Sequence, residues 1–228
     1  MLPKSRNELA RMIDHTFLKP NGSIEDIKNA INEALTYKFR SVVVPPCWVP
    51  SARKFISKES GVLLVSVVGF PLGYNSPEIK IQETRWLIQN GVDEIDMVMN
   101  ISTFKSGDKD FVLDEIKKIV EIAKPIPIKV ILETGYLTDD EIIEASKIAV
   151  SAGAAFVKTC TGFGPRGATV NDIKLMRQAV GNQAKVKAAG GIRDAKTALD
   201  MIKAGADVIG ASRSINIVNT FSEDLLTE

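Results

Sequence analysis

Short apolar runs alternate with longer amphipathic stretches along the whole chain. The apolar runs are rich in β-branched residues and are continuous rather than alternating, which is typical of strands in a parallel sheet covered by helices. The pattern predicts eight strands, at Met12–Thr16, Ser41–Val44, Leu63–Val68, Glu94–Met99, Ile128–Glu133, Phe156–Thr159, Val186–Ala189 and Val208–Gly210.

The amphipathic stretches between these runs begin and end with residues that are typical of helix termini. Ser23–Asp26, Thr138–Glu141 and Thr169–Asp172 have the spacing of a capping box, and apolar residues follow each of them at helical spacing. Glycines just before the next apolar run fit helix ends, at Gly91, Gly153 and Gly205. The pattern therefore predicts helices between the strands.

Eight strands, each followed by a helical stretch, predict an α/β protein with a single-domain (β/α)8 TIM barrel. No internal stretch has the composition of a linker, so we expect one domain over residues 1–228, with a short N-terminal helix before the first strand. A doubly wound open sheet is the competing fold. That fold would need a nucleotide fingerprint after its first strand, but no Gly-x-Gly-x-x-Gly is expected to open a helix, and the chain has no Gly-x-x-x-x-Gly-Lys-Ser/Thr.

Composition and charge exclude several function classes. Hydrophobic residues make up 45% of the chain and charged residues 25%, as in soluble globular proteins. The longest apolar stretch, Val62–Leu72, is too short to span a bilayer, and the first residues lack the apolar core of a signal peptide. The net charge of +1 provides no broad field for nucleic acid. We therefore expect a cytoplasmic protein with no nucleic-acid or membrane partner.

Cysteine and histidine are scarce, which bears on metal chemistry. With two cysteines and one histidine in the sequence, a Cys/His zinc cluster is not expected, and we predict no metal or other cofactor. Cys47 and Cys160 are interpreted as reduced thiols, Cys47 as a half-buried inert one. His15 is interpreted as a packing residue with satisfied hydrogen bonds.

Two lysines lie in otherwise apolar strands, where an unpaired charge is costly. Lys158 is near the end of the sixth strand and Lys187 is in the seventh. Neighbouring strands are about 5 Å apart, so two inward-pointing ammonium groups would repel and one would shift towards the neutral amine. A neutral amine is the nucleophile of Schiff-base chemistry. The alternative is that each lysine reaches solvent or pairs with a carboxylate.

Acidic residues also occur within the predicted strands. Asp96, in the middle of the fourth strand, is a candidate general acid or base, or a counter-ion for the lysines. Asp14 in the first strand is a candidate member of the same polar interior. Lys129 and Glu133 share one face of the predicted fifth strand, and we interpret them as a structural ion pair.

The last two strands end in loops that are typical of phosphate sites. Gly190 and Gly191 follow the seventh strand, and Gly210 to Ser214 follow the eighth. Loops at these positions of a barrel frequently bind phosphate, since glycine lets backbone amides approach the anion. Ser212 and Ser214 add hydroxyl donors. Ordinary turn formation is the alternative for the glycine pair.

Taken together, these motifs resemble those of the deoxyribose-phosphate aldolase family. The resemblance rests on Phe-Val-Lys-Thr-Cys-Thr-Gly around Lys158, Val-Lys-Ala-Ala-Gly-Gly-Ile-Arg around Lys187 and Glu-Ile-Asp-Met-Val around Asp96. It extends over nearly the whole chain. It implies a metal-free class I aldolase that reversibly cleaves 2-deoxy-D-ribose 5-phosphate to acetaldehyde and D-glyceraldehyde 3-phosphate in deoxyribonucleoside catabolism, and commonly a homodimer or higher homo-oligomer.

The resemblance also implies roles for individual residues. Lys158 would form the Schiff base, Lys187 would keep it neutral and share in proton transfer, and Asp96 would be the acid/base partner through water. The implied substrate and phosphate residues are Thr16, Leu18, Thr161, Gly162, Gly190, Gly191, Gly210 and Ser212.

The sequence departs from the family pattern at two places. Phe163 stands where some members have a lysine, and the chain ends without the terminal tyrosine of some members, so proton transfer is expected to depend on Asp96, Lys187 and water. Two alternatives remain open: a transaldolase-like Schiff-base lyase, and a phosphosugar-binding protein without catalysis.

Overall fold

The protein is a closed barrel of eight parallel strands in the order β1 to β8, with β8 hydrogen-bonded to β1. This computed structural model describes residues 2–226. The strands are β1 Ile13–Thr16, β2 Ser41–Val43, β3 Leu63–Val68, β4 Glu94–Val98, β5 Ile128–Ile131, β6 Phe156–Lys158, β7 Lys185–Ala189 and β8 Val208–Ala211. The predicted TIM barrel is confirmed, and the open doubly wound sheet is wrong.

Helices cover the outside of the barrel. They are α1 Arg6–Ala10, α2 Ile24–Tyr37, α3 Val49–Phe55, α4 Pro77–Gln89, α5 Ile101–Lys105, α6 Lys109–Ala123, α7 Asp139–Ser151, α8 Val170–Val180, α9 Ala195–Lys203 and α10 Ser214–Asn219. Helix α1 precedes β1, at the place of the expected N-terminal helix. The predicted domain ends, Met1 and Glu228, lie outside the described residues, so the 1–228 boundaries stay a prediction.

The three capping boxes form as predicted. In each, the hydroxyl of the first residue accepts from the backbone N–H three residues on, and the acidic side chain at that position accepts from the first residue's backbone N–H. Both bonds satisfy N–H groups that have no partner within the helix. Local sequence therefore sets where the helices after β1, β5 and β6 begin, directly after the N-cap residues Ser23, Thr138 and Thr169.

The fifth strand is shorter than predicted, and this changes one predicted contact. Strand β5 ends at Ile131, and Glu133 has a left-handed backbone with φ of 55°. That conformation takes Glu133 out of the strand, and its carboxylate accepts from the backbone N–H of Thr161 at 3.1 Å. Lys129 contacts other acids. The predicted Lys129–Glu133 ion pair is therefore wrong.

The apolar core lies between the barrel and its helices, and the barrel interior is divided. Val43, Val65 and Val67 form a separate small apolar cluster from β2 and β3. Val67 is in register with Asp96 of β4, where the polar part of the interior begins. No helix within residues 2–226 combines the length and apolar character needed to cross a membrane.

Candidate active site

Strand register brings the predicted lysines and acid together inside the barrel. Asp96 is the register partner of Lys129, and Lys158 is the register partner of Lys187. Because register partners in a parallel sheet point to the same face, these four side chains share the interior. All four are at least 95% buried.

Asp96 contacts three ammonium groups. Its Oδ2 lies 2.8 Å from Nζ of Lys158 and 2.8 Å from Nζ of Lys187, while its Oδ1 lies 2.8 Å from Nζ of Lys129. Burial alone would favour the neutral acid, but the lysines overcome it and hold the pKa of Asp96 well below its usual range. Asp96 is therefore a carboxylate, bridging Lys158 and Lys187 through one oxygen.

A second layer of charges lies behind Asp96. Oδ2 of Asp14 forms an ion pair with Nζ of Lys187 at 2.6 Å, while its Oδ1 accepts from the Ser41 hydroxyl at 2.7 Å and from the Arg40 guanidinium at 2.8 Å. Burial opposes ionisation of Asp14, yet the adjacent cations hold its pKa below the usual range. Asp14 thus belongs to the polar interior as predicted, and it leaves Lys187 fixed between two carboxylates.

Glu94 completes this layer, at the first position of β4. Its carboxylate accepts from Nζ of Lys129 at 2.7 Å and from the Arg40 guanidinium at 2.8 Å. Although burial favours the neutral acid, these cations lower the pKa of Glu94. Neither Glu94 nor Arg40 was among the predicted site residues. The signal for Glu94 was its shared strand face with Asp96, whereas Arg40 lies just before β2 and carries no comparable sequence signal.

The interior charges do not balance when every lysine is protonated. Four cationic side chains, Arg40, Lys129, Lys158 and Lys187, face three carboxylates, Asp14, Glu94 and Asp96. Burial lowers the pKa of Lys158 to about 8, with Lys187 adding to the effect and Asp96 opposing it. Deprotonation of Lys158 leaves three cations and three anions, so the neutral amine also gives the balanced interior.

Of these amines, Lys158 lines a cavity and Lys129 and Lys187 do not. This cavity, at the carboxyl ends of the strands, has a volume of about 610 Å³, and Lys158 is part of its wall. Lys187 and Asp96 have no exposed surface and lie beneath. The arrangement presents a single amine to the cavity, with a carboxylate and a second lysine behind it.

All eight predicted binding residues line the same cavity. They are Thr16 at the end of β1 and Leu18 after it, Thr161 and Gly162 after β6, Gly190 and Gly191 after β7, Gly210 near the end of β8 and Ser212 after it. Lys19 and Arg193 also line it and were not predicted, although each lies within two residues of a predicted position. Both are cations suited to an anionic ligand.

Close backbone contact holds the loops after β6 and β7 together. Gly190 and Gly191 have φ of 94° and 79°, and the backbone N–H of Ala168 donates to the Gly190 carbonyl at 3.0 Å. A Cβ on Gly167 would lie 2.5 Å from that carbonyl oxygen. Gly162 to Gly167 have the spacing Gly-x-Gly-x-x-Gly, but α8 begins only at Val170, so this motif does not open a helix and Gly167 instead serves this close approach.

The positions of Ser214 and Cys47 differ from their sequence-based interpretations, whereas the burial of Cys160 agrees with an unreactive thiol. Ser214, predicted as a phosphate donor, is fully buried and donates its hydroxyl to the Ala211 carbonyl, so that prediction is wrong. Cys47 is exposed rather than half-buried. Burial raises the pKa of the Cys160 thiol to about 11, which makes it unreactive.

The amino-acid sequence of this chain is similar to those of known aldolases. Residues 9–219 match the family model described as DeoC/LacD family aldolase. The deoxyribose-phosphate aldolase of Aciduliprofundum boonei is 53% identical over 215 residues, covering 93% of this chain and 96% of that protein.

Solved structures are also similar. One described as "QR15, an Aldolase" has a TM-score of 0.90 and 40% identity, covering 96% of this chain and 98% of that one. A deoxyribose phosphate aldolase from Aeropyrum pernix, described as a tetramer, has a TM-score of 0.88 and 34% identity, covering 95% of this chain and 92% of that one.

Proposed function

Because the chain belongs to the DeoC/LacD family of aldolases, we propose that it reversibly cleaves 2-deoxy-D-ribose 5-phosphate to acetaldehyde and D-glyceraldehyde 3-phosphate through a Schiff base on Lys158. The enzyme is a lyase. The observation that carries the proposal is a single buried amine at the cavity wall, with a lowered pKa and a carboxylate 2.8 Å behind it. No metal or cofactor is needed for this chemistry.

The first step is attack by the neutral Lys158 amine on the aldehyde carbon of the open-chain sugar. The resulting carbinolamine loses water and becomes a protonated imine, which withdraws electrons from the adjacent carbon. The positive charge of this imine occupies the place of the Lys158 ammonium, next to Asp96. Asp96 therefore stabilises the intermediate that the reaction forms.

Cleavage of the bond between the second and third carbons then needs two proton transfers. A base removes the proton of the third-carbon hydroxyl, the electron pair moves into the imine, and D-glyceraldehyde 3-phosphate leaves. The enamine that remains is protonated at carbon and hydrolysed to acetaldehyde. Asp96, as a carboxylate, takes up the hydroxyl proton through water, and a proton returns to the enamine carbon by way of Lys187 and water, because both residues are fully buried behind Lys158.

The phosphate end of the substrate lies across the cavity. We assign it to backbone N–H groups around Gly162, Gly190 and Gly191, with Gly210 and the Ser212 hydroxyl on the opposite loop. Thr16, Leu18 and Thr161 line the space between the phosphate and Lys158. Binding energy from the phosphate then holds the reacting carbons at the amine.

We also propose the setting of this activity. The reaction belongs to deoxyribonucleoside catabolism in the cytoplasm, and the enzyme acts as a homo-oligomer. The tetrameric relative from Aeropyrum pernix supports an assembly of several copies. Size-exclusion chromatography with light scattering tests the oligomeric state directly, and a monomer at micromolar concentration would contradict the proposed homo-oligomer.

Trapping tests the proposed reaction. After incubation with 2-deoxyribose 5-phosphate and reduction with borohydride, we expect peptide mass spectrometry to find an ethyl group on Lys158. This adduct forms because reduction captures the acetaldehyde imine. A larger, phosphate-bearing adduct alone would contradict cleavage, and binding without any adduct would support the phosphosugar-binding protein instead. A product other than acetaldehyde would support a transaldolase-like lyase.

The pH dependence of cleavage follows from the pKa of Lys158. With a pKa of about 8, roughly a tenth of the amine is neutral at pH 7, so kcat/KM should rise with pH and level off above about pH 8. Lys187→Met removes an ammonium that lowers the pKa of Lys158, and should move the rising limb of the residual activity to higher pH. Lys185→Met, on an exposed residue of β7, is the control. A flat profile from pH 6 to 9 would contradict the assignment.

A further inference from the structure

His15, the only histidine in the sequence, has a partner on each ring nitrogen. Its Nδ1 lies 2.9 Å from the Ser214 hydroxyl and its Nε2 lies 2.8 Å from a carboxylate oxygen of Glu33. The ring is stacked on Phe39 with centroids 5.1 Å apart. His15 therefore connects α2, which carries Glu33, to α10, which begins at Ser214.

The contacts among Glu33, His15, Ser214 and Ala211 share a limited number of hydrogens. The Ser214 hydroxyl has one hydrogen and also lies 3.0 Å from the Ala211 carbonyl, which can only accept. For both Ser214 contacts to be hydrogen bonds, the hydroxyl hydrogen goes to Ala211 and Nδ1–H of His15 donates to Ser214. A carboxylate 2.8 Å from Nε2 likewise requires a hydrogen on Nε2. All three contacts are satisfied together only when His15 is protonated on both nitrogens.

Loss of one proton from the His15 ring forces a rearrangement of these hydrogen bonds. A neutral His15 that still donates to Glu33 has a bare Nδ1, so the Ser214 hydroxyl turns to donate to the ring and leaves the Ala211 carbonyl. Ala211 lies between Gly210 and Ser212 and lines the cavity with them. The protonation of His15 is thus coupled, through one hydroxyl, to the backbone of the loop after β8.

The surroundings of His15 allow it to titrate. Burial lowers the pKa of His15 and the Glu33 carboxylate opposes this. From α10 the Ser214 hydroxyl faces the ring, and the neighbouring strand positions are Val42 and Ala211, which are uncharged. Glu33 is therefore the charged group in direct contact with the ring, and it is 42% exposed.

We propose that His15 is a positioning residue for the phosphate-binding loop, holding Ala211 and Ser212 in place through Ser214 when it is protonated. This inference rests on the proposed phosphate site. By thermodynamic reciprocity, an anion bound at the loop must favour the protonated form of His15, and the protonated form must bind the anion more tightly. We expect about a fivefold difference in anion affinity between the two forms, near the lower end of typical couplings.

Because the protein has one histidine, its imidazole signals can be followed by NMR without assignment. The untagged full chain is titrated from pH 5 to 8 in sodium chloride or in sodium sulfate at equal ionic strength, since sulfate stays a dianion throughout. Backbone amides of Gly162, Gly190 and Gly191 report sulfate binding separately. Sulfate should move the His15 titration to higher pH. An unchanged titration, with sulfate bound, would overturn the proposal.

Two variants separate the hydroxyl contact from simple attraction between charges. In Ser214→Ala, sulfate should still bind but its effect on the His15 titration should largely disappear; full retention would overturn the role of Ser214. Glu33→Gln removes the charge that raises the pKa of His15, and should lower the pH at which sulfate affinity falls. Glu25→Gln, on the same helix and paired with Lys28, should change neither and is the matched control.

The outcomes also distinguish this inference from the proposed function. If sulfate fails to bind near the glycine loops, the phosphate site is wrong and this inference falls with it. If sulfate binds and shifts the titration but 2-deoxyribose 5-phosphate is not cleaved, the positioning role stands and the aldolase activity is wrong. In an active enzyme, KM for the phosphosugar should rise as His15 deprotonates, while KM for unphosphorylated 2-deoxyribose should not.

Discussion

Lys158→Met is expected to lose aldol cleavage by roughly 10⁴-fold or more, the scale of loss when a covalent nucleophile is removed. Methionine keeps the length and apolar stem of the side chain but cannot form an imine. The other interior amines do not replace it, because Lys187 and Lys129 have no exposed surface and each contacts two carboxylates within 2.8 Å.

The same variant should remain folded. Without Lys158, three cations face three carboxylates, and Asp96 keeps its contacts with Lys129 and Lys187. We therefore expect thermal unfolding at the same temperature or higher, since burying a charge is costly. Cleavage of 2-deoxyribose 5-phosphate and borohydride trapping are measured in Lys158→Met and in the control variant Lys185→Met. Activity above about 1% of wild type, or trapping at another lysine, would refute Lys158 as the nucleophile.

Much of the fold follows from local sequence. The continuous apolar runs predicted all eight strands, and their ends agree with the structure to within one or two residues. The largest difference is at β5, where the polar-apolar pattern continues to Glu133 but the backbone turns left-handed there. A pattern of side-chain types carries no signal for that turn in a residue other than glycine, so the strand end and the Lys129 contact were both mispredicted.

The site was predictable only in part. Lys158 and Lys187 stand out because lysine is costly in an apolar strand, and their neighbouring positions in the sheet follow from chain order. The partners of Lys129 do not follow, because alternation does not say which face of β4 is inward and because Arg40 acts from outside any strand. The contact of His15 with Ser214 joins residues 199 apart and exists only because β8 closes onto β1.

Asp96→Asn is expected to damage both stability and catalysis, because one carboxylate contacts three lysines. The amide places N–H donors among ammonium donors, and four cations then face two carboxylates. Breaking a buried ion pair in this way costs about 3–5 kcal/mol of unfolding free energy. Loss of proton transfer should lower kcat by about 10²–10⁴-fold. Denaturant unfolding and steady-state kinetics are compared with Asp140→Asn, an exposed acid on α7.

A second substitution separates the two effects. Asp96→Asn combined with Lys129→Met leaves three cations and two carboxylates, which restores the excess of one positive charge found in the wild type. Lys129 contacts Oδ1 of Asp96, whereas Lys158 and Lys187 contact Oδ2, so the pair removed lies on the side away from the nucleophile. The double variant should therefore recover part of the lost stability without recovering activity. If activity returned together with stability, Asp96 would be only a counter-ion, and the proton transfers assigned to it would have to come from another group.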